Sequence, residues 1–461
     1  MAHRFKKADR NTPMLLPPDL REWVAEDDLV HFVIAAVERL PLCSFAVNHK
    51  GSGDEQYPPH LMLALLIYCY ANGIFSSRRI ERATYRDVAV RYLTADPHPD
   101  HDTICAFRRN NLEAIAQAFV EVLELARELQ LLQVGVVSVD GTHLKANASR
   151  DKNLTYERAQ QLRTQLRQEV NELLQRAEQA DQKDEDPQKL PQEIARREKL
   201  LEKMEAACAQ LEARAQARAE AERAGYERKL AEREQREPSR KGPPLKPPGA
   251  TGPRPREQVN LTDADARIMR KSQRESFSQS YNAQVVVEAG GSQLIVGQRV
   301  SNCASDAGQL EPDLDSIPAS LGQPHTVLAD CGYSNAELFK YMGQQRPELE
   351  LYVSVRREDA QAPPRYDYRP RNKIKPKRTL SDPVLSAMAD KLSTPEGQRM
   401  YRRRACTVEP VFGIIKAVLG FRQFLLRGLS KVTGEWNLIC LAYNLKRLHR
   451  LGAPLKLARA N

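Results

Sequence analysis

Cysteine is sparse: eight in 461 residues, with no CxxC pair. That excludes a disulfide-stapled scaffold and a standard zinc finger. Long apolar runs are missing too. The longest, Leu61 to Ala71, falls short of the about 20 residues that a membrane helix needs. No apolar stretch follows the basic residues between Met1 and Asn11, so no secretory signal is expected. What is present is charge. Charged residues make up 28% of the chain, with 70 Lys+Arg against 60 Asp+Glu, while hydrophobic residues reach 41%. The expectation is a soluble, intracellular, basic protein of about two to four domains, with no membrane partner.

The charge is unevenly spread. Residues 1–139 carry 15 basic and 18 acidic side chains, whereas residues 365–461 carry 21 basic and 6 acidic, a net of +15. A basic segment of that density attracts polyanions, and nucleic acid is the commonest in a cell.

Residues 1–130 read as helices. Leu29 to Leu40 has apolar residues at helical spacing, and His60 to Ile74 is apolar on most sides after the turn-forming Pro58-Pro59. Ser76-Ser77 can cap a short helix, another short one spans Arg86 to Leu93, and Asp102 can cap a helix from about Thr103 to Leu131. Short helices separated by tight turns, carrying Arg78, Arg79, Arg82, Arg86, Arg108 and Arg109, resemble a helix-turn-helix region.

Val134 to Val139 is β-branched and reads as a strand ending at Asp140. Residues 154–236 then change character. Apolar residues recur at three- and four-residue steps, from Ala159 through Leu166 to Ala177 and from Ile194 through Met204 to Ala215. Asp186-Pro187 and Pro191 separate the two series. This is the pattern of an antiparallel helical hairpin. Pro, Gly and Lys dominate from Glu237 to Arg256, as in an extended linker. Further on, strands are expected at Tyr281–Glu288, Gln293–Val300, Thr326–Ala329 and Leu349–Val355. Helices are expected at Ala307–Ile317, Ser334–Tyr341, Pro410–Leu419 and Gly434–Leu451, and a basic loop at 362–378. Without the arm this is an α/β core, a mixed sheet flanked by helices.

Asp140 and Asp330 each follow an apolar strand, with a glycine one residue past the first and two past the second. Acids at strand ends face the crevice where α/β sheets bind ligands. Their oxygens suit Mg²⁺ or Mn²⁺. Glu409, directly before Pro410, is expected near a helix N-terminus, with Lys416 two turns on. Three such acids around two cations would make a phosphoryl-transfer site; read only locally, they are turn formers and a helix cap. Elsewhere, His98, His101 and Cys105 read as a capping turn in preference to a zinc site. Asp263 and Asp265 read as a helix start, and Trp436 as core. His143 and Lys145 read equally as phosphate contacts or as exposed positions.

In order along the chain, the sequence contains Asp54-Glu-Gln-Tyr-Pro-Pro59, Pro99-Asp-His-Asp-Thr-Ile104, Val139-Asp-Gly-Thr142, Tyr281-Asn-Ala-Gln284, Asn302-Cys-Ala-Ser-Asp306, Leu328-Ala-Asp-Cys-Gly-Tyr333 and Val408-Glu-Pro-Val-Phe-Gly413. This series resembles DDE transposases of bacterial insertion sequences, in the IS4/IS5-like group, and is most similar to the IS1182-like branch.

The resemblance implies an RNase H-like catalytic core, DNA as substrate and two Mg²⁺ (or Mn²⁺) ions. It implies a triad of Asp140, Asp330 and Glu409. Tyr401, Arg404 and Lys416 would complete a Y-R-E-K signature, with Arg402 as the alternative arginine because Tyr401 and Arg404 stand one residue farther from Glu409 than in the family. It also implies a homo-oligomer, a dimer when active, in the bacterial cytoplasm and associated with the nucleoid.

The expected organisation is a helical N-terminal domain at 1–130, binding DNA through Arg78, Arg79, Arg108 and Arg109. The first core strand lies at 131–150, a coiled-coil-like insertion at 151–237 and a linker at 238–258. The rest of the core and the C-terminal helices occupy 259–461. Lys373, Lys375, Lys377 and Arg378 are expected on DNA phosphates. A metal-dependent nuclease without strand transfer and a coiled-coil interaction protein lacking catalysis are the alternatives.

Overall fold

The structure is a computed structural model. It describes residues 19–41, 43–47, 55–183, 190–234, 246–247, 249, 251–270, 276–355, 380 and 382–453. The N-terminal helices are α1 (Leu29–Val37), α2 (Pro59–Ala71), α3 (Ser77–Arg86), α4 (Val88–Thr94), α5 (His101–Asn110) and α6 (Leu112–Glu128). Pro59 opens α2 at a position where its missing N–H costs nothing. From Met62 onward every residue of α2 is buried.

The single helix expected from Thr103 to Leu131 is two. They break at Asn111, whose side chain accepts from the Ala46 N–H at 2.7 Å and donates to the Phe107 carbonyl at 2.8 Å. The cap of α5 is Asp100, not Asp102. Its carboxylate accepts from the N–H groups of Asp102 and Thr103.

Strands β1 (Val136–Lys145), β2 (Asn153–Thr155), β3 (Gln258–Asn260), β4 (Arg267–Met269), β5 (Ser278–Glu288), β6 (Ile295–Ser301), β7 (Thr326–Ala329) and β8 (Glu350–Val353) follow. The main sheet has the order β4-β5-β1-β7-β8, with β6 also on β5. Pairing is antiparallel between β1 and β5 and between β5 and β6, and parallel between β1 and β7 and between β7 and β8. This mixed, helix-flanked sheet is the expected α/β core, in the RNase H-like order.

Strand β1 does not end at Asp140 as expected. Its parallel partner stops at Ala329, opposite Val139. The antiparallel ladder with β5 continues to Lys145 opposite Ser280. Asp140 therefore sits inside a strand, at the point where one edge opens.

Helices α7 (Tyr156–Lys183) and α8 (Leu190–Glu234) form the hairpin arm. Ala159, Leu166 and Val170 of α7, and Met204, Cys208, Leu211 and Ala215 of α8, are buried along its seam. The small β2–β3 sheet closes the arm's base. Arg218 pairs with Glu257 at 2.9 Å, and Lys229 reaches Glu337 at 3.2 Å.

The remaining helices are α9 (Leu310–Asp315), α10 (Ala336–Gln345), α11 (Pro383–Ser393), α12 (Pro395–Gly413) and α13 (Leu429–Arg450). Helix α13 lies between β6 and the N-terminal helices α2 and α6, and one apolar cluster runs through all of them. Trp436 is buried there, as expected, and donates to the Gln284 carbonyl at 3.1 Å. Asp263 and Asp265 do not start a helix of their own. They accept from the N–H groups of Gly428 and Leu429, which open α13 and have no partner within it.

In α9, Asp313 is 1% exposed and pairs with Arg299 at 3.0 Å. Burial pushes its carboxyl up to about 7, against the pull of Arg299. An acid whose folded value exceeds its unfolded one binds more protons when folded. Its contribution is therefore full below about pH 4 and lost as pH rises through 7. Asp313→Asn should flatten the fall of stability between about pH 4 and 7, removing a slope of up to about 1.4 kcal/mol per pH unit. Calorimetric melts across that window check this; an unchanged slope would assign the pH dependence elsewhere.

Candidate active site

The parallel register that pairs Val139 with Ala329 makes Asp140 and Asp330 the next residues on neighbouring chains. Asp330 caps a short 3₁₀ turn, its Oδ1 accepting from the Gly332 N–H at 2.7 Å. Asp140 accepts from the Gly141 N–H at 2.8 Å.

The third acid arrives on α12, which lies along the same face of β1. Near its start, Met400 and Tyr401 pack with Val136, Leu328 and Tyr352. One turn later Arg404 donates to Asp140 Oδ2 at 3.0 Å and reaches Glu409 Oε1 at 3.5 Å. Beyond Gly413 the helix widens into a π-helical segment, Ile414–Val418. There Lys416 donates to the Thr142 hydroxyl. Thr142 is two residues past Asp140 and so on the same strand face.

Glu409 is not at a helix N-terminus as expected. It lies inside α12, and Pro410 is accommodated within the helix. A proline there leaves the carbonyl of Cys406 without its helical donor. Gln293, from the β5–β6 turn, supplies one: its Nε2 donates to the Cys406 carbonyl at 2.8 Å. Sequence rules place proline at helix starts; a side chain from a distant hairpin allows the exception.

The electrostatics follow from burial. Asp140 is pushed up to about 7, first by burial, opposed by Arg404, and then raised by Asp330 and Asp306. For Arg404, burial works against the charge, but Asp140, with Asp330 and Glu409, holds it above its ordinary value. One guanidinium thus joins two of the three acids in a site where the Arg404 side chain is only 8% exposed.

The other expected contacts fall in several places. Arg402 is exposed and lines a separate cleft with Arg399, Arg403 and the Gly290-Gly291 turn. Of the two candidate arginines, only Arg404 meets the acids. Arg78, Arg79 and Arg109 are exposed on α3 and α5. Arg108 corrects the expectation of a DNA contact. It is buried, and it donates to the Tyr70 hydroxyl at 2.6 Å and to the Phe75 carbonyl at 3.1 Å. His101 pairs with Glu81 and His98 bonds Thr84, in keeping with a structural turn. Lys373, Lys375, Lys377 and Arg378 lie outside the described residues.

Two features escaped the reading of the sequence. A cleft of about 260 Å³ lies along the far part of β1, past Thr142, lined by His143, Lys145, Arg270, Lys416 and Arg422. Arg422 carried only its place in the stretch Phe421-Arg-Gln-Phe424, which also belongs to the resemblance. Asp306 carried only its place in a motif, yet it lies against both aspartate-bearing segments. Among the described residues, no three His, Cys, Asp or Glu side chains already converge on one point as metal ligands would.

An RNase H-like sheet, with one acid inside its first core strand, a second just past its fourth and a third on a helix that packs on both, defines the class of core. Residues 254–445 match the family model described as a transposase DDE domain, and residues 18–110 match one described as a transposase domain (DUF772). Two separate segments of the chain are thus similar to transposase domains. The first match begins after the arm and omits Asp140; the β1–β5 ladder returns that residue to the same sheet. No curated protein and no solved structure matches the chain.

Proposed function

We propose that the protein binds the terminal inverted repeats of an insertion sequence, cleaves its ends and joins them to target DNA. The observation that carries this reading is the adjacency of Asp140 and Asp330 in parallel register, with Arg404 joining Asp140 to Glu409.

Asp140, Asp330 and Glu409 would hold two Mg²⁺ or Mn²⁺ ions. The donor set suits hard cations: it offers carboxylate oxygens only, on adjacent segments, with Asp140 raised first by burial and then by neighbouring negative charge that a cation would offset. When bound, such ions activate the attacking oxygen and stabilise the leaving one in an in-line displacement. The chain's own groups do the positioning. Lys416, bound to the Thr142 hydroxyl two residues past Asp140, offers a cation to a phosphate. Arg404 offers a planar fork that fits a phosphate as well as a carboxylate. Lys145, Arg270 and Arg422 line the cleft beyond and would carry the DNA backbone away from the acids. Exposed Arg78, Arg79 and Arg109 would add contacts from the helical domain. The protein would act as a dimer in the bacterial cytoplasm, associated with the nucleoid.

Purified protein, labelled element ends, target DNA and Mg²⁺ test the reading. Cleaved ends joined to target are expected. Cleavage without joining would make the protein a nuclease, and neither product would overturn both.

The basic segment gives a separate expectation. Replacing Lys373, Lys375, Lys377 and Arg378 with alanine should weaken binding to specific and random DNA alike. Each lost phosphate contact should reduce the salt slope by about one unit. An unchanged slope in binding titrations from low to high salt would remove this segment from the DNA interface.

A further inference from the structure

Asp306 lies in the segment after β6, and no chemistry was assigned to it above. Its Oδ1 accepts from two side-chain amides of β5, Asn282 Nδ2 and Gln284 Nε2, both at 2.8 Å. Gln284 is fully buried, and its Oε1 accepts from the Tyr333 hydroxyl. Tyr333 is also fully buried, three residues past Asp330. A continuous chain of hydrogen bonds therefore runs from Asp306 through Gln284 to the Asp330 segment. The β1–β5 register sets Gln284 opposite Gly141, the residue after Asp140.

Asp306 also lies close to the two glycines near the aspartates. A Cβ on Gly141 would lie 2.6 Å from Asp306 Oδ1, and one on Gly332 would lie 3.1 Å from Asp306 Oδ2. Neither glycine has the positive φ that would by itself require glycine. At Gly141 the Gln284 amide bound to that carboxylate crowds the same space, and at Gly332 Asp330 Oδ1 lies at 2.9 Å beside Asp306 Oδ2, so the carboxylate of Asp306 is the group that reaches both positions. Asp306 is thus wedged between the backbone that follows Asp140 and the backbone that follows Asp330.

We propose that Asp306 is a positioning residue whose carboxylate braces these two backbone segments and so fixes the separation of Asp140 and Asp330. The inference rests on the reading of those two residues as catalytic. Active sites tolerate little displacement: a shift of about 1 Å can cost about 100-fold in rate. Asp306→Ala removes the acceptor and leaves two amides unpaired. Its kcat for strand cleavage should fall about 100-fold, with KM and DNA affinity nearly unchanged. Asp306→Asn keeps an oxygen where both amides donate, so it should recover to within about tenfold of wild type. Gly141→Ala, which forces a methyl group against Gln284 and Asp306 together and so parts their hydrogen bond, should resemble Asp306→Ala.

The deciding measurements are cleavage kinetics and amide hydrogen exchange on the full-length chain. Exchange at Gly141, Thr142, Gly332 and Tyr333 should be faster in Asp306→Ala and close to wild type in Asp306→Asn. Where Asp306→Ala does not fold, Asn282→Ala takes its place, with faster exchange at Gly332 expected. Unchanged exchange at these amides overturns the brace. So does an Asp306→Asn variant as inactive as Asp306→Ala, because that would mean the charge itself is required. If the wild-type protein cleaves no DNA while exchange behaves as expected, the transposase reading fails and the brace stands.

Discussion

Asp140→Asn, Asp330→Asn and Glu409→Gln are each expected to abolish strand cleavage while leaving DNA binding nearly intact. Each substitution keeps the side chain's shape and removes one metal-binding charge. Losing one ligand of a two-ion site costs several kcal/mol of transition-state stabilisation, about a thousandfold or more in rate. Binding should survive because the cations that would meet DNA, such as Lys145, Arg270 and Arg422, are untouched. Cleavage assays beside gel-shift titrations give the answer. Wild-type cleavage in any one variant would remove that residue from the site. A parallel collapse of binding would show that the acid supports the fold or the interface.

Arg404→Ala should be the most destabilising single change at the site, while Arg402→Ala should be close to neutral. Arg404 is buried and joined to Asp140 at 3.0 Å. Removing one partner of a buried pair leaves an uncompensated charge, at a typical cost of about 3–5 kcal/mol. Asp140, already raised by burial and by neighbouring acids, would be driven further toward its protonated form. Arg404→Lys should recover only part of the loss, since an ammonium has no fork to span two carboxylates. Arg402 is exposed and makes no contact with the acids, so its truncation should fall within about 0.5 kcal/mol. Denaturant melts of the three variants give the comparison. Equal stability of the Arg404 and Arg402 alanine variants would show that the pair across Asp140 contributes little.

Much of the fold was legible because it is local. The strand at Thr326–Ala329 is readable to the residue, since a short apolar run between turn formers has few alternatives. The arm was readable because its apolar positions repeat at helical spacing over two long segments. Boundaries were misread where distant residues set them. Asn111 breaks one helix because it must hold Ala46, and Pro410 stays inside another because Gln293 serves the carbonyl it strands.

The chain by itself determined the inventory: an arm between two parts of a sheet, acids beside glycines, and a basic C-terminal end. Hydrophobic period, turn chemistry and charge are properties of neighbouring residues, so they survive reading in one dimension. The tertiary structure alone decided which residues meet. Arg404 and Arg402 are equivalent in composition and differ only in the face of α12 they occupy. Arg108 belonged to the same run of arginines as Arg109, yet packing turned it inward to Tyr70. Asp306 gains its place only when β5 lies beside β1, because its partners, Asn282 and Gln284, are aligned with the Asp140 segment by the strand register and by nothing local to Asp306 itself.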